Sequence, residues 1–202
     1  RGGKDMNIHW IQEQPDQNGI VRTFTKWDYE IRNNESLNWV MTKAFQVAEA
    51  EPAGPVYLTL PRELLIEEMQ ELQLPPAGRH GQPTAPAADP TALAVLADWL
   101  AGAERPLIIA GSSGRYKETV PVLTAIAELT GAPVQGAIGT RLNFPTQHPL
   151  NAQTCSAPTV HDADVILVVD HDNPWIPDPE TLEPSAKVAW IDMDPTKDTI
   201  PM

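Results

Sequence analysis

The sequence predicts an α/β protein: one domain built on a parallel sheet, preceded by part of a second α/β domain. Three observations carry this. From residue 89 onward, stretches with apolar residues three and four apart alternate with short, continuous apolar runs. The runs Arg105–Gly111 and Ala163–Asp170 are too uniformly apolar for a sheet with one wet face, which is how strands covered on both sides read. A segment rich in Pro, Gly and Ala divides the chain. With 202 residues, 42% of them hydrophobic, the chain suffices for one full core and part of another.

In chain order, residues 1–35 are polar, and only Ile8–Ile11 and Val21–Thr25 look strand-like. Leu37, Val40, Met41, Ala44, Phe45 and Ala48 then recur at helical spacing behind Ser36 as a cap, and the helix is stopped by Glu51-Pro52-Ala53-Gly54-Pro55. Val56–Leu60 is a short strand ended by Pro61. Residues 62–90 read as a linker whose middle, 74–90, is too rich in Pro, Gly and Ala to pack as helix or strand, the Pro-rich linker proper being 67–88, so that 1–66 form the end of one domain and 89–202 most of the next. There, Asp89 or Thr91 caps a helix to about Ala101 with Leu93, Leu96, Ala97 and Leu100 on one face. Arg105–Gly111 is a strand. A second helix starts near Thr119, which puts Pro121 in the first turn where no donor is needed, and Gly131 stops it. Val134–Ala137, Ala163–Asp170 and Ala186–Asp194 are the remaining strands, and helical connections between strands imply a parallel sheet with right-handed crossovers.

Formal net charge is −13, a field that repels nucleic acid and anionic lipid, so neither is an expected partner. No run is long and apolar enough for a membrane span and no signal peptide opens the sequence. A single cysteine, Cys155, allows no internal disulfide and offers no zinc spacing, which fits a reducing, cytoplasmic setting. The sequence starts at Arg1 in mid-pattern and reads as an internal piece of a longer protein.

Gly111-Ser112-Ser113-Gly114, between a strand and a helix, is where backbone donors could meet a phosphate, though neither GxGxxG nor a Walker pattern is present, and a plain structural turn is the stronger reading. Asp192 and Asp194 end the last strand, where a carboxylate can take a ribose hydroxyl or cap a turn. His161, Asp162, Asp164, Asp170, His171 and Asp172 resemble a metal set on paper, but the intervening strand separates the two groups by roughly 20 Å, too far for one ion. Cys155 reads as packed rather than nucleophilic. Of six tryptophans, Trp39 and Trp99 read as partly packed helix residues, and Trp175, among prolines, as a lid or interface residue.

Phe24-Thr25-Lys26-Trp27, the helix to Ala50, and Gly54-Pro55-Val56-Tyr57-Leu58-Thr59-Leu60-Pro61 resemble the end of the pyrimidine-binding domain of thiamine-diphosphate enzymes of the acetolactate synthase and benzoylformate decarboxylase group. Arg105–Gly111, Asn143-Phe144-Pro145-Thr146-x-His148-Pro149, Ala163–Leu167 and Ile191-Asp192-Met193-Asp194 resemble that group's central domain, in the right order. The resemblance implies a Rossmann-like central domain, of the type that binds NAD or FAD elsewhere. It also implies a homodimeric or homotetrameric parent that uses thiamine diphosphate and Mg2+ on a 2-oxo acid or acyl substrate. The family's activating glutamate and its Gly-Asp-Gly magnesium motif match no position here; Glu13 resembles a later Gln-Glu. No catalytic residue is therefore assigned, and the isolated chain is expected to be inactive, a scaffold and inter-domain element.

In some members the central domain binds FAD or ADP, which would fall here on Gly111, Ser112, Ser113 and Gly114 and on Asp192 or Asp194. Two departures count against it. Ser112 and Ser113 replace consecutive glycines, and Asp170-His171-Asp172 replace a glycine and an arginine, so that side chains and carboxylates stand where a diphosphate would come. The alternative, a nucleotide-binding or regulatory module, stays open at this point.

Overall fold

A computed structural model describes residues 14–68, 79, 81, 83–136, 141–152, 160–175 and 185–194. The chain divides into two units, Arg1–Ala85 and Pro86–Met202. The strand expected at Ile8–Ile11, together with Glu13, Cys155 and most of the Pro-rich linker, lies outside the described residues.

In the first unit the piece expected to be extended at Val21–Thr25 is helical: α1 (Gln17–Val21) runs into a 3-10 turn at Arg22–Phe24. Asp16 accepts from the Gly19 amide at 2.9 Å, and Arg22 bridges Asp16 at 3.2 Å and Asp28 at 3.1 Å, so local pairing overrides the β preference of Val21 and Thr23. The strand comes next, β1 (Trp27–Glu30), and runs parallel to β2 (Val56–Thr59) with Trp27 opposite Val56 and Glu30 opposite Thr59. Between them lies α2 (Leu37–Glu49). Its cap differs from expectation: the Ser36 side chain makes no capping bond, and the Asn33 side chain accepts from the Ser36 amide in a 3-10 turn just before the helix. Val40 and Ala44 are buried, while Met41 and Phe45, expected on the same face, are 37% and 60% exposed, because a two-stranded sheet covers only a narrow stripe of the helix. After Pro61, α3 (Arg62–Ile66) places a helical turn at the start of the stretch read as linker; Leu64 closes a core with Ile31 and Val40.

The quoted Thr25-Lys26-Trp27 and Gly54-Pro55-Val56 pieces form one clasp. The Lys26 amide donates to the Pro55 carbonyl, and its ammonium donates to the Val47 and Ala50 carbonyls at the end of α2. A Cβ on Gly54 would lie 2.9 Å from the Lys26 side chain, which is why no side chain stands there.

In the second unit α4 (Pro90–Ala101) is capped by Asp89, whose carboxylate accepts from the Thr91 amide at 2.9 Å, with Pro90 in the first position. β3 (Pro106–Ala110) is buried along its whole length. α5 (Thr119–Thr130) starts where Pro121 falls in its first turn and ends on Gly131 at φ +68°. β4 (Val134–Gly136), β5 (Val165–Val169) and β6 (Lys187–Ile191) complete a parallel sheet of order β4-β3-β5-β6. Ile108, Ala110 and Leu167 pack with Leu96 and Leu100 of α4 and with Leu123 and Ala127 of α5. Leu107, Ile109, Ile166 and Val168 face the other way, with Val188, Trp190 and Trp175 beside them. Burial on both faces explains why these strands carry no polar alternation. From β3 the chain goes to β4 on one side and returns to β5 on the other, so the switch point of the sheet lies between the carboxyl ends of β3 and β5.

Candidate functional site

The carboxyl ends of the strands gather the residues singled out in the sequence. Gly111–Gly114 follow β3, Asp170–Asp172 follow β5, and Asp192 and Asp194 follow β6. Ala110, Val169 and Ile191 stand level in register, and at strand spacing the β3 and β6 ends lie about 10 Å apart with β5 between them. The remaining members of the paper metal set, His161, Asp162 and Asp164, precede β5. Asp164 accepts from the Glu104 and Arg105 amides at 2.7 and 2.9 Å and ties the start of β3 to that of β5. Burial pushes its carboxyl up, but those amides, its own amide and the Arg105 charge bring it to a net position below the ordinary carboxylate value. Asp192 accepts from the Asp194 amide at 2.9 Å in a local turn. His171 likewise accepts, through Nδ1, from the Asn173 amide. Trp175, expected as a lid or interface residue, packs on Trp190 with ring centroids 6.2 Å apart.

The glycine turn is filled by the chain itself. The Gly111 amide donates to the Val169 carbonyl at 3.0 Å and the Ser112 amide to the Asp170 carbonyl at 2.7 Å. The Gly114 amide donates to Asn143 Oδ1 at 2.8 Å, and the Arg115 and Tyr116 amides close a 3-10 turn on Ser112 and Ser113. Of the amides from Gly111 to Tyr116, Ser113's alone has no acceptor among the described residues. The glycines serve close approach within the chain: a Cβ on Gly111 would lie 2.2 Å from the Asp170 carbonyl oxygen, and one on Gly114 would lie 2.2 Å from that of Leu142.

Two residues not singled out as site candidates in the sequence organise this corner. Asn143 is 1% exposed; its Nδ2 donates to the Ala110 and Gly111 carbonyls at 3.1 and 2.7 Å, and its Oδ1 also accepts from the Ser113 hydroxyl. Arg115 is ion-paired with Asp170, whose φ is positive at 49°. Asn143 did stand in a quoted motif, but a buried clasp and an exposed ligand contact look the same in sequence. Arg115 carried no signal, because its partner is 55 residues away.

Thiamine diphosphate with magnesium needs convergent oxygen ligands. Among the described residues no three His, Cys, Asp or Glu side chains gather to offer them; of the acidic groups at this edge, Asp192 caps a turn and Asp170 faces Arg115. The donor set of the described residues does not fit that cofactor, and no catalytic step is assigned to this chain.

Residues 93–199 match the central domain of thiamine pyrophosphate enzymes. The chain belongs to that family. Within it, the chain is 26% identical over 191 residues to the acetolactate synthase large subunit of Lactococcus lactis subsp. lactis, covering 90% of this chain and 33% of that protein. It is 25% identical to oxalyl-CoA decarboxylase of Escherichia coli K12, covering 87% of this chain and 32% of that one. Benzoylformate decarboxylase from Polynucleobacter necessarius superposes with a TM-score of 0.70 at 25% identity, over 87% of this chain and 34% of that structure. The chain thus spans about a third of the length of the relatives it matches. Like theirs, this thiamine pyrophosphate enzyme central domain is built on a parallel sheet, and its motifs supply strands, strand ends and the Asn143 clasp.

Proposed function

We propose that this chain is part of an acetolactate synthase-like enzyme that decarboxylates a 2-oxo acid or joins its acyl fragment to an acceptor. Thiamine diphosphate and Mg2+ are held by parts of the longer protein, and this chain serves as scaffold and inter-domain element. When bound, thiamine diphosphate supplies the electron sink for the carbanion left by decarboxylation. This chain's part is to fold the central domain around β3 and β5 and to join it, through residues 67–88, to the end of the pyrimidine-binding domain. The observation that supports this reading is that relatives of this activity match 90% of the chain, while Asp89 and Asp192 serve as caps and Asp170 as an ion-pair partner. The longer protein acts in the cytoplasm as a homodimer or homotetramer.

The test compares this chain with a longer protein containing it, each supplied with thiamine diphosphate, MgCl2 and pyruvate or benzoylformate, with CO2 release as the readout. CO2 is expected from the longer protein and none above background from this chain. Turnover by this chain alone would overturn the scaffold role. A longer protein inert toward both acids yet active on an aldehyde donor would overturn the substrate class.

A further inference from the structure

We infer that the nucleotide corner of this central domain is closed to FAD and ADP, because the chain supplies from its own residues the groups with which a diphosphate would pair. A diphosphate at a strand-to-helix turn needs several amides converging on its oxygens, and glycines so that it can come close. Here the amides of Gly111, Ser112, Gly114, Arg115 and Tyr116 already donate to chain acceptors. The acceptor on Gly114 is the Asn143 side-chain oxygen, which also takes the Ser113 hydroxyl. Asn143 thereby occupies the acceptor role on two successive residues of the turn, and its amide nitrogen is spent on the Ala110 and Gly111 carbonyls.

Space and charge agree. The room that Gly111 and Gly114 leave is taken by the backbone of Asp170–His171 and of Leu142–Asn143. The cation best placed at the corner, Arg115, faces the Asp170 carboxylate, so the positive charge a diphosphate would seek is matched by an internal anion. The ribose-binding role implied for Asp192 is met by a carboxylate that already accepts the Asp194 amide, about two strand spacings from the turn. Opening the corner would break five amide hydrogen bonds and an ion pair at once. This inference rests on family membership and is independent of which 2-oxo acid the longer protein uses.

The test titrates the full chain with ADP and with FAD to 1 mM, following the thermal midpoint, flavin fluorescence and amide NMR spectra. A ligand held at about a hundred times its Kd raises the midpoint by several degrees. The expected result is that the midpoint and flavin fluorescence stay flat, with the amides of Gly111, Ser112, Gly114, Arg115 and Tyr116 slow in hydrogen exchange and unmoved by either ligand. Saturable movement of these amides or of Asp194, or fast exchange at them without ligand, would overturn closure. A midpoint shift with the five amides still protected and unmoved would place binding elsewhere and uphold it.

Discussion

Asn143 shows how one side chain can fix a corner. Its four bonds join the end of β3, the turn after it and the loop at 141–144, and at 1% exposure no water can replace them. Asn143→Ala leaves two carbonyls, an amide and a hydroxyl short of partners, each costing about 1–3 kcal/mol when buried. Relaxation recovers some of that, so a loss of about 3 kcal/mol is expected, read as a lower urea midpoint at unchanged m. Asp164 makes a different prediction. Its folded-state carboxyl lies below its ordinary value, so its contribution is complete above the unfolded value and is lost as pH falls through the folded one. Stability of the native sequence should therefore decline below about pH 4, and Asp164→Asn should flatten that part of the profile. Equal acid slopes for the two proteins would show that Asp164 contributes nothing to it.

At the scale of elements, helix ends were the easiest to read and strand partners the hardest. Asp89-Pro90 and Thr130-Gly131 mark their helix ends by local chemistry, an acceptor for early amides and a residue that tolerates φ +68°, and both lie where the sequence places them. Gly131→Ala is expected to cost about 1 kcal/mol in denaturant unfolding, since the added Cβ meets no neighbour and the whole effect is backbone strain. Val21–Thr25 misled because a β-branched pair outweighed, on paper, the charges that Arg22 finds in Asp16 and Asp28. Met41 and Phe45 misled because periodicity gives a face but not the width of what covers it. The corner was legible in part: the glycine turn and Asp170 stood out in the sequence. Asn143 and Arg115, which fill it, were not, because each acts through a contact 29 or more residues away in the chain.

For the whole molecule the dominant fact is charge. With 27 acidic against 14 basic residues, the net −13 must be held together against its own repulsion. Among the described residues several basic side chains are already engaged: Arg22 and Arg115 sit in ion pairs, Lys26 caps α2, and Lys43 lies over Trp27 and Trp39. Most of the acids among the described residues are exposed, and exposed charges are screened over about 10 Å at 0.1 M salt. Added salt should therefore weaken repulsion more than it weakens the few surface pairs, each worth at most about 1 kcal/mol. The thermal midpoint at pH 7.5 is expected to rise by a few degrees between 10 and 200 mM NaCl, and equally with KCl, since the effect is ionic strength and not a specific cation. A rise with one chloride and not the other would point to a bound ion. A fall with both would mean that pairs such as Arg115 with Asp170 stabilise the fold more than the surplus charge destabilises it.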